Sequence, residues 1–226
     1  IQQMLNQQET LTEVSLGGQT INGSAQFFYA LIAMTCLYGC FIGFGSAITL
    51  QANLTALAAR RCVTPTHKLK LILSEQIASF LLGYFDVIVL LIYLRYILKL
   101  DFQGKIGPML LISFFGSLIG VSIGIFVGSL GKMKEGGKIG IILGFSMVCS
   151  FLSGLMNNTM KDLIEKNMPV INRINPAALS SDAFYCINVY DDRRRYYRNL
   201  FTLAVMSITL VTASFLLIRR ESYDSI

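Results

Sequence analysis

The chain has 226 residues, of which 54% are hydrophobic, with no tryptophan, a net charge of +6 and a mean hydropathy of +0.58. Soluble domains are less apolar and do not collect apolar residues in blocks of about twenty, so this composition excludes a soluble globular protein. The basic residues lie between the apolar blocks, as a membrane requires, so the charge does not indicate a nucleic-acid partner. The sequence predicts an all-α, polytopic helical membrane protein.

The first segment, residues 1–26, is polar and carries Glu9 and Glu13 without any basic side chain. This charge pattern favours a position outside the cytoplasm. Because the segment opens at Ile1 and resembles the end of a folded polar region, we expect an upstream part of the protein. Residues 1–26 are therefore predicted to end an extracytoplasmic region, and residues 27–226 to form the transmembrane domain.

Five apolar segments are long enough to cross a membrane as helices. They cover about residues 27–50, 71–98, 108–130, 139–156 and 200–218. The first two are separated by a basic loop, residues 51–70, which has four basic side chains and no acidic one. Short basic loops mark the cytoplasmic side. The loop 131–138 and the pair Arg219-Arg220 are also basic, and two spans separate each from the next. All three therefore lie on one side, with the start of the chain outside and its end in the cytoplasm.

The segment between the fourth and fifth spans, residues 157–197, is too charged to cross. Its capping patterns predict two short helices, about 160–166 and 176–187, that lie at the outer membrane face or dip into it, the second with Asn175 as N-cap and Pro176 at the first helical position. An interfacial aromatic belt is expected from Tyr185, Tyr190, Tyr196 and Tyr197. Three basic residues are an exception to the rule that basic loops lie in the cytoplasm, because this segment is predicted to lie outside: Arg193, Arg194 and Arg195. Their charge is partly neutralised by Asp191 and Asp192.

The basic loop is long enough to fold. Leu54, Leu57, Ala58 and Arg61 follow the spacing i, i+3, i+4, i+7, which predicts a short helix with one weakly apolar face. Thr64 then has the properties of an N-cap for the next helix, with Pro65 after it. Such an elbow is either a surface for a partner or a solvated linker between spans.

Glycines form the most regular pattern in the spans. Gly116, Gly120, Gly124 and Gly128 recur every four residues in the third span, and Gly136, Gly140 and Gly144 do so at the start of the fourth. Small residues on a helix face let two backbones approach closely in lipid. The pattern predicts that residues 108–156 form a glycine-lined hairpin, and a substrate-lining role is the alternative.

Glu75 and Asp86 are acidic residues within the second span, eleven positions apart and so on one face, with Ser79 between them. An intramembrane carboxylate indicates a functional site. The alternative for Asp86 is a hydrogen bond to a serine or tyrosine hydroxyl of a neighbouring helix.

Residues for catalysis or metal binding are not grouped in the sequence. The five cysteines form no CxxC pair, and His67 is the one histidine. GSLGKMK, residues 128–134, lacks the glycine spacing and the hydroxyl residue of a phosphate-binding loop. We therefore expect no catalytic, cofactor or metal site, and no enzyme activity, in this chain.

Three stretches resemble one family. AARRCVTPTHKLK follows a glycine-rich span, MPVINRINPAALSSDAFYCINVYDDRRRYYRN precedes the last span, and RRESYDSI ends the chain. Together they resemble the membrane subunit of a bacterial ABC exporter of the type-2 permease family. Similar family members have six spans, often with an extracytoplasmic domain between the first two. Five spans are present here, and the polar opening matches the end of that domain.

The resemblance implies that the elbow, Asn53 to His67, is a coupling helix on a separate cytoplasmic ATP-binding subunit. The contact residues would be Leu54, Leu57, Arg60, Arg61, Thr64 and His67. It also implies a homo- or heterodimer of permease subunits in the bacterial cell membrane, with the short outer helices closing the exit. ATP and Mg²⁺ would bind to the partner subunit.

An ion-coupled secondary transporter that uses Asp86 and Glu75 is the alternative function. The sequence leaves the substrate open among drugs, peptide antibiotics, lipids and sodium ions.

Overall fold

The computed structural model describes residues 23–48, 68–99, 106–130, 133–156, 158–190 and 192–220. Within these ranges the regular structure is entirely helical, which confirms the predicted all-α class. The elements are α1 (Gly23–Ile48), α2 (Lys68–Tyr96), α3 (Ile106–Gly128), α4 (Glu135–Leu152), α5 (Asn158–Asn167), α6 (Pro169–Ile174), α7 (Pro176–Tyr185), a π-helical turn (Cys186–Tyr190) and α8 (Arg193–Arg220).

Five of the described helices are long and apolar enough to span a membrane, as predicted. These candidate spans are Phe27–Ile48, Ile72–Tyr96, Ile106–Gly128, Glu135–Leu152 and Arg193–Leu217. The fourth helix ends at Leu152 rather than near Met156 because the chain turns at Gly154, where φ is 93°. The fifth begins at Arg193 rather than near Leu200. Its first turn is stabilised by Asp192, whose carboxylate accepts hydrogen bonds from the backbone N–H groups of Arg194 and Arg195 at 3.0 and 3.1 Å.

α3 lies at the centre of the bundle and contacts α1, α2, α4, α7 and α8. In its most apolar stretch 67% of the residues are buried, compared with 22% in each of α2 and α8. A helix that is apolar all round is stable only where neighbours or lipid cover every face. Here neighbouring helices cover α3, whereas α2 and α8 turn much of their surface outward.

The chain between α4 and α8 forms three short helices rather than the two predicted. The additional one, α6, begins with Pro169 at its first position. All ten residues of α7 are buried among the other helices. Its Phe184 ring stacks on Tyr29 of α1 with 6.0 Å between ring centroids. α7 is thus part of the bundle core.

Asn175 joins the end of α4 to the start of α7. Its side-chain oxygen accepts hydrogen bonds from the N–H groups of Ala177 and Ala178 at 2.9 and 3.3 Å, which confirms the predicted N-cap. Its side-chain NH₂ group donates to the carbonyl oxygen of Cys149, near the end of α4, at 2.8 Å. At about 1.5 Å per residue, Cys149 lies about 16 Å along α4 from Lys138, which is near the start of that helix. This length is smaller than the thickness of a bilayer, so the contact between Asn175 and Cys149 lies within the membrane.

The predicted aromatic belt is wrong for two of its four members. Tyr190 and Tyr197 are exposed, but Tyr185 and Tyr196 are buried. The Tyr196 hydroxyl donates to the carbonyl oxygen of Pro108 at 3.1 Å, which ties the start of α8 to the start of α3. A buried tyrosine needs such a partner for its hydroxyl group.

Candidate functional site

The glycine stripe of α3 faces α1. A Cβ atom added at Gly120 would overlap the carbonyl oxygen of Cys36, and one added at Gly124 would overlap that of Cys40. At Gly128 the added atom would overlap the side chain of Ala47. The α1 and α3 backbones therefore approach so closely that no larger residue fits between them.

The predicted glycine-lined hairpin of the third and fourth spans is wrong. A Cβ atom at Gly140 or Gly144 would meet nothing within 4 Å. Glycine spacing marks a face for close approach, but it does not identify the helix that approaches. The approaching helix is α1, which has its own glycine at position 43, where an added Cβ would overlap the carbonyl oxygen of Val121.

Polar side chains join α2 to its two neighbours inside the membrane. The hydroxyl groups of Ser46 in α1 and Ser79 in α2 lie 2.6 Å apart and share a hydrogen bond. The amide NH₂ of Gln76 in α2 donates to the hydroxyl oxygen of Ser122 in α3 at 3.1 Å. Hydrogen bonds of this kind link helices where lipid provides no hydrophobic drive for association.

The two carboxylates of α2 lie at the edge of its buried face. Glu75 is half-buried and Asp86 is exposed, whereas Ser79 between them is buried. The alternative interpretation of Asp86 requires a hydrogen bond to a serine or tyrosine hydroxyl of a neighbouring helix. The side chain points away from the described helices, which does not fit that interpretation. A carboxylate at this depth is costly in lipid, so this face of α2 needs a polar partner or water.

The predicted coupling elbow, Asn53–His67, lies outside the described residues. The described chain resumes at Lys68, the first residue of α2. The six contact residues inferred in the elbow, Leu54, Leu57, Arg60, Arg61, Thr64 and His67, therefore remain predictions from the sequence.

A polar node lies between α7 and α8 and was not predicted from the sequence. The guanidinium group of Arg195 donates from Nε to Asp182 Oδ2 at 2.7 Å and from Nη2 to Oδ1 at 2.9 Å. The side-chain NH₂ of Asn199 also donates to Asp182 Oδ2, at 2.8 Å. The Asp182 side chain is 11% exposed and that of Arg195 is 37% exposed. The node is a bidentate ion pair with a third donor, which fixes the orientation of α7 on α8.

The sequence contained a signal for this node. Asp182 is the one acidic residue in α7, a helix otherwise built from apolar and small residues. A carboxylate in such a helix needs a cation when it is buried. Arg195, one of three consecutive arginines at the start of α8, supplies this cation. The rule that basic residues mark the cytoplasmic side treats the three arginines as an exception.

Lys138 is fully buried near the start of α4. Its ammonium group donates to the carbonyl oxygen of Gly128, the last residue of α3, at 2.7 Å. A cation at a helix C-terminus interacts favourably with the unpaired carbonyl groups and the helix dipole. This contact joins α3 to α4 at the end of the bundle opposite the Asp182 node.

Within the described ranges no three His, Cys, Asp or Glu side chains are grouped as metal ligands would be. The four described cysteines, Cys36, Cys40, Cys149 and Cys186, are all buried.

One comparison with known proteins gives a match. A family model described as "ABC-2 family transporter protein" matches residues 1–216. No curated protein and no solved structure matches the chain significantly.

Proposed function

Because the chain belongs to the ABC-2 transporter family and is the membrane subunit of an ABC transporter, we propose that it moves its substrate out of the cell by ATP-driven export. The observation that carries this proposal is the family match over residues 1–216, together with five helices able to span a membrane. The chain is a multi-pass membrane protein, and its partners are an ABC ATPase and the lipid bilayer.

In this proposal ATP and Mg²⁺ bind to the ATPase subunit, which hydrolyses the ATP. The permease changes conformation in response and does not take part in the hydrolysis. The elbow, Asn53–His67, is the coupling helix that rests on the ATPase. It lies between α1 and α2 in the sequence, and α1 packs closely against the central α3 at Gly120 and Gly124. A displacement of the elbow by the ATPase would therefore be transmitted through rigid helices to the centre of the bundle.

The start of the chain is placed outside the bacterial cell membrane and the C-terminus in the cytoplasm. Three basic segments on one side of the spans support this orientation. A dimer of permease subunits is supported by an exposed apolar face of α4 formed by Ile139, Leu143 and Met147.

Ion-coupled transport is the alternative. It would require Glu75 and Asp86 to share a water-filled site along α2. The half-buried position of Glu75 and the outward position of Asp86 do not favour a common site among the described helices. ATP-driven export therefore remains the proposal.

The test is to purify the full chain in mild detergent from its native host and to identify co-purifying nucleotide-binding subunits. The complex is then reconstituted into vesicles, and ATP hydrolysis is measured. We expect an ABC ATPase to co-purify and to hydrolyse ATP. Recovery of the intact chain without an ATPase, together with transport driven by a pH gradient alone, would contradict the proposal.

Orientation has a separate test in a cysteine-free background. Lys134, just before α4, and Lys166, in the last turn of α5, are exposed lysines at opposite ends of the bundle. An impermeant thiol reagent should label Lys166→Cys in intact cells and should label Lys134→Cys only after the membrane is opened. The reverse labelling pattern would invert the topology.

A further inference from the structure

A cavity of about 610 Å³ lies beside the Asp182 node, between α5, α6, α7 and the first turns of α8. Its charged lining consists of Glu165, Arg173, Asp182, Asp192, Arg194, Arg195 and Arg198. Four arginines thus face three carboxylates. The cavity carries a positive excess at the end of the bundle where α8 begins.

The carboxylates of this cavity are engaged by the protein itself. Asp182 accepts from Arg195, and Asp192 accepts from the backbone at the start of α8. Glu165 accepts a hydrogen bond from the side-chain NH₂ of Asn172 at 2.9 Å. Only Asp182 is paired with an arginine, whereas Asp192 and Glu165 accept from neutral N–H groups and keep their negative charge, so the four arginines exceed the three carboxylates by one positive charge.

Three guanidinium groups remain for a ligand. Arg173, Arg194 and Arg198 are exposed, and within the described ranges no ion pair engages them. Guanidinium groups match phosphate and carboxylate oxygens in geometry as well as charge. The cavity has the chemistry of an anion site.

An apolar groove of about 590 Å³ lies on the membrane side of the same helices. It runs along α4 from Ile141 to Leu152, and its other wall comes from α3 and α8. Eleven residues of helix correspond to about 16 Å. One leaflet of a bilayer contributes about 15 Å of hydrocarbon, half of a core of about 30 Å, so the groove has the length of one acyl chain.

Helix α6 separates the cavity from the groove and contributes to both. Asn172 and Arg173 line the charged cavity, whereas Ile171 and Ile174 line the apolar groove. The two spaces are thus adjacent, the charged one toward the start of α8 and the apolar one toward the membrane centre. This is the arrangement of an amphiphile with an anionic head and a hydrocarbon tail.

We propose that the cavity and the groove together form a binding site for one anionic phospholipid of the bilayer. Its phosphate lies among Arg173, Arg194 and Arg198, and an acyl chain passes α6 into the groove beside α4. A zwitterionic phospholipid carries the same phosphate, but its cationic head group adds a positive charge beside the arginines and so weakens binding. Under the proposed orientation the lipid belongs to the outer leaflet. Lipid binding itself does not depend on that orientation or on transport.

The test uses the full-length protein in phosphatidylcholine vesicles that contain spin-labelled phosphatidylglycerol or spin-labelled phosphatidylcholine. The label sits near the end of the acyl chain, and electron paramagnetic resonance measures the immobilised fraction. We expect phosphatidylglycerol to be preferred. The double variant Arg194→Ala with Arg198→Ala should lower the preference about 25-fold, because each cation near a membrane surface contributes about 1 kcal/mol, a factor of about five.

Matched controls lie next to each substitution. Arg193→Ala removes an exposed arginine of the same turn that does not line the cavity, so it should keep the preference. For the groove, Val148→Phe should reduce immobilisation of the labelled chain, whereas Met147→Phe, beside it on α4 but outside the groove, should not. Circular dichroism and gel filtration confirm that each variant is folded.

Three outcomes would overturn the proposal. The first is wild-type protein without a preference for phosphatidylglycerol. The second is an equal loss of preference in Arg193→Ala and in the double variant, which would indicate general surface charge. The third is full displacement of the labelled lipid by soluble glycerol phosphate, which would show an anion site without a tail groove. Because no ATP or ATPase is present, none of these results bears on export.

Discussion

Asp182 of α7 and Arg195 of α8 face each other through two parallel hydrogen bonds, at 2.7 and 2.9 Å. Planar groups in this arrangement fix both distance and angle, which a single hydrogen bond does not. The pair therefore determines how the start of the last span sits on a helix that is buried in the bundle.

The first prediction concerns this pair. Asp182→Ala should lower the free energy of unfolding by about 2–3 kcal/mol, because it leaves Arg195 and Asn199 without their acceptor. Arg195→Ala should cost at least as much, because it leaves the Asp182 carboxylate, which is only 11% exposed, without its cation. Thermal unfolding in mild detergent measures both, with Arg193→Ala as the control. Equal stability of Asp182→Ala and wild type would show that the pair contributes nothing.

The glycine contacts give a second prediction with an internal control. Gly120→Ala and Gly124→Ala should each destabilise the protein by about 1–3 kcal/mol or more, because the methyl group meets backbone oxygens of α1 that cannot move away. Gly140→Ala and Gly144→Ala add the same methyl group in open space. They should be neutral or stabilise by up to about 1 kcal/mol through helix propensity. The yield and melting temperature of the four variants test whether the glycines of α3, and not those of α4, face a neighbouring helix. Equal behaviour of the two pairs would contradict this.

Lys138 provides a third prediction. Lys138→Met keeps the length of the side chain but removes the donor to Gly128, so it should lower the free energy of unfolding by about 1–3 kcal/mol. Lys134→Met, an exposed lysine just before α4, should change it by less than about 0.5 kcal/mol. The melting temperatures of both variants provide the comparison. A larger effect at position 134 would contradict the structural role of the buried ammonium group.

Reversal of the elbow charges is the fourth prediction. Arg60→Glu with Arg61→Glu should leave the permease folded and inserted but weaken the ATPase complex or uncouple hydrolysis from export, because like charges across an interface cost several kcal/mol. A pull-down of the ATPase measures association, and ATP hydrolysis with and without the permease measures coupling. Lys68→Glu, just after the elbow, is the control for general loop charge. Normal recovery and normal export in the double variant would remove the elbow from the mechanism.

The fifth prediction separates the two transport mechanisms. Asp86→Asn removes a titratable group but keeps hydrogen-bonding capacity, so ATP-driven export should continue nearly unchanged. An ion-coupled carrier would lose gradient-driven transport with the same substitution. Vesicles given either ATP or a pH gradient distinguish the two. Loss of transport with the ATPase complex intact would favour ion coupling.

The spans were predictable because each is a long apolar helix, and the caps at Asn175 and Pro176 follow local rules. Helix partners were not predictable in the same way. The stripe at Gly120 and Gly124 shows that a close neighbour exists, but a sequence does not state whether the neighbour is α1 or α4. The depth of α7 was also missed. In the sequence alone, the charge of Asp182 argues against burial of this helix. The structure shows that Arg195 pairs with Asp182, which makes the burial possible.

Asn175 has a consequence for how this permease can change over evolution. Its one amide ties the end of α4 to the start of α7, so the segment between them, residues 153–174, begins and ends at the same point of the bundle. Carbonyl oxygens at the end of α4 also accept hydrogen bonds from the N–H groups of Ser153, Gly154 and Leu155, so these first residues of the segment are fixed and only the rest is free to vary. Because the cost of closing a loop rises only slowly with its length, this segment can be lengthened, shortened or exchanged while the bundle keeps its register. Insertions and new specificities are therefore expected to accumulate there first.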